Sequence, residues 1–237
     1  MKLTITSITP FTFQDYPEHT ACILWFSGCN MACGYCHNPE LVKGLFKKLP
    51  EEKVIDFLES RVGLLEGIVL SGGECTLCPA LPEFASYLKS LGFKVKIDTN
   101  GTKPDVIEKL LNKKLVDFIA MDFKAPEEKF ENITGYSDYK SFSRSLELIC
   151  KSGIDAEIRT TVHADMLDER DINKIIGVLE DNEYTGSYFV QKFRSGKTLD
   201  NLDAPTRSFD ATKLAEATFE INLRGFSKIH EFMKTVC

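Results

Sequence analysis

Three cysteines fall on one short stretch, Cys29, Cys33 and Cys36, in the spacing C-x-x-x-C-x-x-C. Thiolates this close on a loop suit a soft metal site, either zinc or an iron–sulfur cluster. A structural zinc site closes its tetrahedron with four protein ligands. Only three cysteines lie close together here, and His37, adjacent to Cys36, makes an awkward fourth ligand. Three thiolates can hold a [4Fe–4S] cube and leave one iron open to a substrate or cofactor. On spacing alone, a zinc knuckle and three plainly buried thiols are the alternatives.

Other residues that could do chemistry are Gly72-Gly73-Glu74, Asp98, Asp122-Phe123-Lys124 and Arg159. Taken singly, each has an ordinary reading. Gly-Gly-Glu is usually a turn, and Asp98-Thr99-Asn100-Gly101 could be a helix-capping turn. Lys124 and Arg159 could be surface charges.

What must position these residues is an alternation of strands and helices. Apolar runs predict strands over 20–26, 67–71, 93–98, 115–122, 154–162 and 185–191. Helical stripes intervene, such as Leu81, Phe84, Ala85 and Leu88 at i, i+3, i+4, i+7. Further helices are expected over 51–62, around Val106–Leu111, Phe142–Cys150 and Ile172–Leu179, with a closing helix over 211–219. Strands joined by helical crossovers pair in parallel, with right-handed connections. A full eight-fold barrel takes roughly 250 residues. Six units in 237 residues predict an α/β fold, a partial, open TIM-like (βα)6 barrel. A doubly wound sheet is the structural alternative. One domain is expected, with a core over about 18–200 and a helical extension over about 205–237.

In parallel α/β folds, sites gather at the carboxyl ends of the strands. The cysteine loop follows the first predicted strand, and Gly72-Gly73-Glu74 follows the second. The third ends at Asp98, the fourth at Asp122-Phe123-Lys124, and Arg159 lies within the fifth. Joint placement at one end favours a functional reading for Glu74, Asp98 and Lys124 over the ordinary ones.

Bulk properties narrow the class. The net charge of −6 argues against non-specific nucleic-acid binding, which needs a basic footprint. The longest apolar run, Ala21–Phe26, is too short to span a membrane. No signal peptide is visible, so a cytoplasmic protein is expected. The eight cysteines are even in number, but a disulfide framework suits short secreted chains. Cys22, Cys150 and Cys237 are isolated and receive no role.

The cysteine spacing, with the aromatic Tyr35 before the last cysteine, resembles the signature of the radical S-adenosylmethionine (SAM) superfamily. Cys36-His37-Asn38-Pro39-Glu40 resembles the glycyl-radical-enzyme activases within it, and more narrowly those serving anaerobic ribonucleoside-triphosphate reductase. Residues 8–41, 67–74, 96–101, 116–125 and 191–199 carry the likeness. The resemblance implies that Cys29, Cys33 and Cys36 ligate three irons of a [4Fe–4S] cluster, and that SAM chelates the fourth. It implies that Tyr35 lies against the adenine and that Gly72, Gly73 and Glu74 receive the methionine amino group. It implies that Lys124 meets the SAM carboxylate and that Arg159 lines the pocket. Asp98 and Asp122 match a pair where some activases hold a monovalent cation. The implied reaction is reductive cleavage of SAM to a 5′-deoxyadenosyl radical, with an electron from a flavodoxin or ferredoxin. That radical would then generate a glycyl radical on the large subunit of the partner reductase. We expect the partner's glycine loop to approach beside residues 9–19, near Asp15 and Glu18.

The chain departs from the activase pattern in three places. Cys75 and Cys78 follow Gly-Gly-Glu, as either a redox-active pair or two small buried side chains. Phe193 stands where some activases have a histidine that meets SAM, leaving Arg194 or Gln191 as substitutes. Only residues 37–71 separate Cys36 from Gly72, too few for an inserted ferredoxin domain. Two rival functions are a radical SAM enzyme acting on a small molecule, like 7-carboxy-7-deazaguanine synthase, and a non-catalytic electron-transfer or zinc protein.

Overall fold

The computed structural model describes residues 1–226. It contains one eight-stranded sheet whose strands lie in sequence order. The six predicted strands are present as β2 (Ala21–Phe26), β3 (Gly67–Gly72), β4 (Lys94–Thr99), β5 (Phe118–Asp122), β6 (Asp155–Val162) and β7 (Ser187–Lys192). All five contacts between them are parallel. Sequential parallel order is the partial barrel, and it removes the doubly wound alternative, in which strand order reverses.

Two edge strands were not expected. β1 (Ile5–Thr12) pairs antiparallel with β2, and β8 (Glu220–Arg224) pairs parallel with β7. Both are half-exposed edge strands, and β1 carries Pro10, which an edge tolerates. The closing helix expected over 211–219 does not form. Residues Ala211–Lys213 make a single 3-10 turn, and the chain then enters β8. Its apolar residues Leu214, Ala217 and Phe219 instead pack singly against the core. The remainder of the expected helical extension, with Cys237, lies outside the described residues.

The helices are α1 (Pro39–Val42), α2 (Glu51–Glu59), α3 (Leu81–Ser90), α4 (Pro104–Asn112), α5 (Glu127–Thr134), α6 (Tyr139–Ser152) and α7 (Glu169–Asp181). Their apolar stripes cover one face of the sheet. Cys22, Leu24 and Phe26 from β2, Ile68 and Leu70 from β3, and Val95 and Ile97 from β4 all join that large core. Alternate residues point the other way. On that inner face Ala21, Ile23 and Val69 form a small second cluster with Tyr16. Further along, the inner face turns polar, with Lys96, Asp98, Asp122 and Arg159. No described helix is long and apolar enough to cross a membrane.

Candidate active site

Every sequence-predicted site residue lines one cavity of about 250 Å³ at the carboxyl ends of β2–β6. The cysteine loop leaves β2 at Phe26 and contributes Cys29, Cys33, Tyr35 and Cys36. Gly72 ends β3 and Gly73 follows it, where the two loops approach closely. Gly72 sits at φ +125, and a Cβ there would meet the Phe26 carbonyl at 2.4 Å. A Cβ on Gly73 would lie 2.0 Å from the Gly28 carbonyl oxygen. Glycine is required at both positions so that the backbones can touch.

Glu74 is 1 % exposed. Its carboxylate accepts from Thr76 N at 3.1 Å, Thr76 Oγ1 at 2.5 Å, Thr99 Oγ1 at 2.8 Å and Asn100 N at 2.6 Å. Burial pushes its carboxyl up, against these donors. Glu74 therefore ties the β3 loop to the β4 loop, and little acceptor capacity remains for an incoming ammonium. The helix-capping reading of Asp98–Gly101 fails, because α4 is capped at Lys103 with no side-chain bond.

A ladder of alternating charges runs across the inner face. Lys96, 2 % exposed, donates to Asp98 Oδ1 at 2.6 Å. Asp98 also accepts from Ser71 Oγ at 2.9 Å and faces Arg159 Nη1 at 3.7 Å. Arg159 Nε donates to Asp122 Oδ1 at 2.9 Å, and Lys124 Nζ meets Asp122 Oδ2 at 3.1 Å. Burial would raise both aspartates. Arg159 and Lys96 outweigh it at Asp98, and Arg159 and Lys124 hold Asp122 down to about 2. Burial opposes the charge on Lys124, but Asp122 and then Tyr35 and Cys33 raise it. Lys124, 5.9 Å over the Tyr35 ring, presents a firmly held positive charge to the cavity. Lys96 is the one member that the sequence reading missed. Its i−2 alternation with Asp98 on one strand face was the available signal.

The donor set fits an iron–sulfur cluster. Cys29, Cys33 and Cys36 line one cavity, three thiolates where a structural zinc site takes four protein ligands. A multi-iron cube is wider, and each thiolate binds its own iron. The Tyr35 hydroxyl is buried without a protein partner. Burial raises the thiols of Cys29, to about 11, and Cys33, so iron must displace their protons on binding.

Three expected features lie elsewhere. Phe193 is buried between the rings of His37, at 5.8 Å, and His163, at 4.8 Å. Neither Arg194 nor Gln191, the expected substitutes for a SAM-contacting histidine, lines the cavity. Cys75 and Cys78 are buried, and their thiols face separate backbone carbonyls, Asp98 O and Lys2 O. That is the arrangement of two small core side chains. The loop carrying Asp15 and Glu18 lies at the opposite end of the sheet. Thr12 pairs with Ala21, the first residue of β2, and Tyr16 packs on Gly67, the first of β3. Asp15 and Glu18, expected beside a partner's entry path, therefore stand away from the cavity lining.

Residues 23–181 match the radical SAM superfamily, and the chain belongs to that family. Family members use a [4Fe–4S] cluster and SAM, which the residues gathered here fit. The chain is 35 % identical over 202 residues to a protein of Methanocaldococcus jannaschii, covering 81 % of each. That protein is named, provisionally, a glycyl-radical enzyme activating enzyme. The 7-carboxy-7-deazaguanine synthase of Clostridium acetobutylicum is 28 % identical, over 50 % of this chain and 53 % of that protein. Among solved structures, Streptococcus suis SuiB bound to S-adenosylmethionine shares the fold, with a TM-score of 0.64 at 14 % identity. The match covers 86 % of this chain and about half, 52 %, of SuiB.

Proposed function

We propose that this chain cleaves SAM reductively and generates a glycyl radical on a partner enzyme, with anaerobic ribonucleoside-triphosphate reductase as the partner. One observation carries the reading. The three cysteines, the Gly72-Gly73 backbone and Lys124 line the same cavity, beside His37 and Asn38 of the activase-like segment. The M. jannaschii relative supports it too, being matched over more of both chains than the synthase.

In this reading Cys29, Cys33 and Cys36 hold the cluster, and Tyr35 packs against the adenine. The cluster and SAM, when bound, supply one electron and a hydrogen-abstracting adenosyl group. Lys124 pairs with the SAM carboxylate. The amino group goes to the Gly72-Gly73 backbone, while Glu74 mainly holds that backbone in place. Arg159 and Lys96 fix Asp122 and Asp98, and these cations take the place expected for a monovalent ion. A flavodoxin or ferredoxin supplies the electron.

The test is anaerobic reconstitution with SAM, reductant and the reductase large subunit, followed by electron paramagnetic resonance. A glycyl-radical signal that disappears with Cys33→Ala is the expected result. Cluster-dependent 5′-deoxyadenosine with no glycyl signal on any glycyl-radical partner would favour the second reading, a small-molecule substrate as in the synthase.

A further inference from the structure

The loops after β2 and β4 share a polar ring that the roles above leave unused. Asn100 is 5 % exposed and Thr102 is 2 % exposed, so their polar atoms need partners inside the protein. Those partners decide which way the Asn100 amide points. Thr102 N can only donate, and it meets Asn100 Oδ1 at 3.1 Å. Thr102 Oγ1 donates to the same oxygen at 2.7 Å. Asn30 Nδ2 in turn donates to Thr102 Oγ1 at 2.8 Å. The ring closes where Asn100 Nδ2 donates to Asn30 Oδ1 at 3.0 Å.

An amide nitrogen carries two hydrogens. One closes the ring, and the other faces Cys29 Sγ, 3.7 Å from Asn100 Nδ2. Met31 N approaches the same sulfur at 3.4 Å. From the far side, Glu74 Oε2 accepts from Asn100 N at 2.6 Å and pins the backbone. Flipping the amide would turn its oxygen toward the sulfur and strip Thr102 N of its acceptor, a costly loss in a buried site.

We propose that the Asn30–Asn100–Thr102 ring sets the reduction potential of the cluster by aiming an amide N–H at the Cys29 sulfur. The proposal rests on the reading of Cys29, Cys33 and Cys36 as cluster ligands. Reduction adds one negative charge to the cluster. Hydrogen bonds to the sulfurs stabilise that more charged state and raise the potential, and a buried, preoriented donor does so more effectively than water. Asn100 is thus a positioning and tuning residue that acts through the ligand sulfur.

The test is a redox titration of the reconstituted protein without SAM, followed by electron paramagnetic resonance. Iron content, sulfide content and thermal melting are measured alongside. Asn100→Asp keeps an oxygen for Thr102 but replaces the donor that faces Cys29. Thr102→Val breaks the ring without touching the sulfur contact and adds no charge. It therefore separates loss of the aimed donor from the effect of the new carboxylate in Asn100→Asp, and it decides the matter. At the wild-type midpoint, Asn100→Asp is expected to cut the reduced-to-oxidised ratio about tenfold, a drop of about 59 mV for one electron. Thr102→Val should shift the same way by less. Wild-type midpoints in loaded variants would overturn the proposal. A wild-type protein that binds no iron at these cysteines would overturn the cluster reading itself, a distinct result.

Discussion

Asp122 sits between Arg159 and Lys124, which hold it at about 2 against an ordinary 3.8 despite its burial. Because the folded-state value is the lower one, ionised Asp122 stabilises the fold above 3.8. That contribution is lost as pH falls toward and through about 2. Acid-unfolding curves should therefore show wild type above Asp122→Asn by a constant margin over pH 5–7, closing below about pH 4. A margin that persists to the lowest pH would contradict the assignment. Gly73 makes a second residue-scale prediction. Gly73→Ala forces a Cβ to within 2.0 Å of the Gly28 carbonyl oxygen and separates the cysteine loop from β3. SAM cleavage should fall more than about tenfold, as small misplacements at a site can cost. The cysteines, Glu74, Asp98, Lys124 and Arg159 were legible by type and position. Their partners were not, because Glu74–Asn100 and Asp98–Arg159 are contacts between strands whose register the sequence does not state. Asn100 was hidden for the same reason, inside a tetrapeptide that looks like a cap.

Among the elements, α7 begins with a capping box. Asp168 accepts from Arg170 N and Asp171 N, and the Asp171 side chain accepts from Asp168 N. Asp168→Ala should cost about 1 kcal/mol of stability by denaturant unfolding. On the same helix, a Cβ on Gly177 would meet nothing within 4 Å. Gly177→Ala should therefore stabilise by about 0.5–1 kcal/mol. The α3 stripe Leu81, Phe84, Ala85 and Leu88 was legible because all four residues are buried, and α2, α4, α6 and α7 showed through stripes that are buried at least in part. The strands between them announced themselves as apolar runs. β1 and β8 did not, since an edge strand needs only backbone pairing and can present charged or polar side chains. α5 was missed because its sequence, EEKFENIT, buries only Phe130, Ile133 and Thr134.

At the scale of the whole molecule, the sheet has two ends with different work. The carboxyl end carries the cysteines and the charge ladder. The amino end carries Tyr16, Glu18 and His19, which line a separate cavity of about 840 Å³. An Asp15→Lys/Glu18→Lys variant should accordingly activate its partner at the wild-type rate, measured as glycyl-radical yield over time. The central claim concerns where a hydrogen atom goes, and an isotope reports that directly. The partner reductase would be prepared with α-deuterated glycine and incubated with the reconstituted protein, reductant and SAM. The 5′-deoxyadenosine would then be analysed by mass spectrometry. Deuterium in 5′-deoxyadenosine, absent with Cys33→Ala, is the result this account expects. Unlabelled 5′-deoxyadenosine from a partner that gains no radical would contradict it.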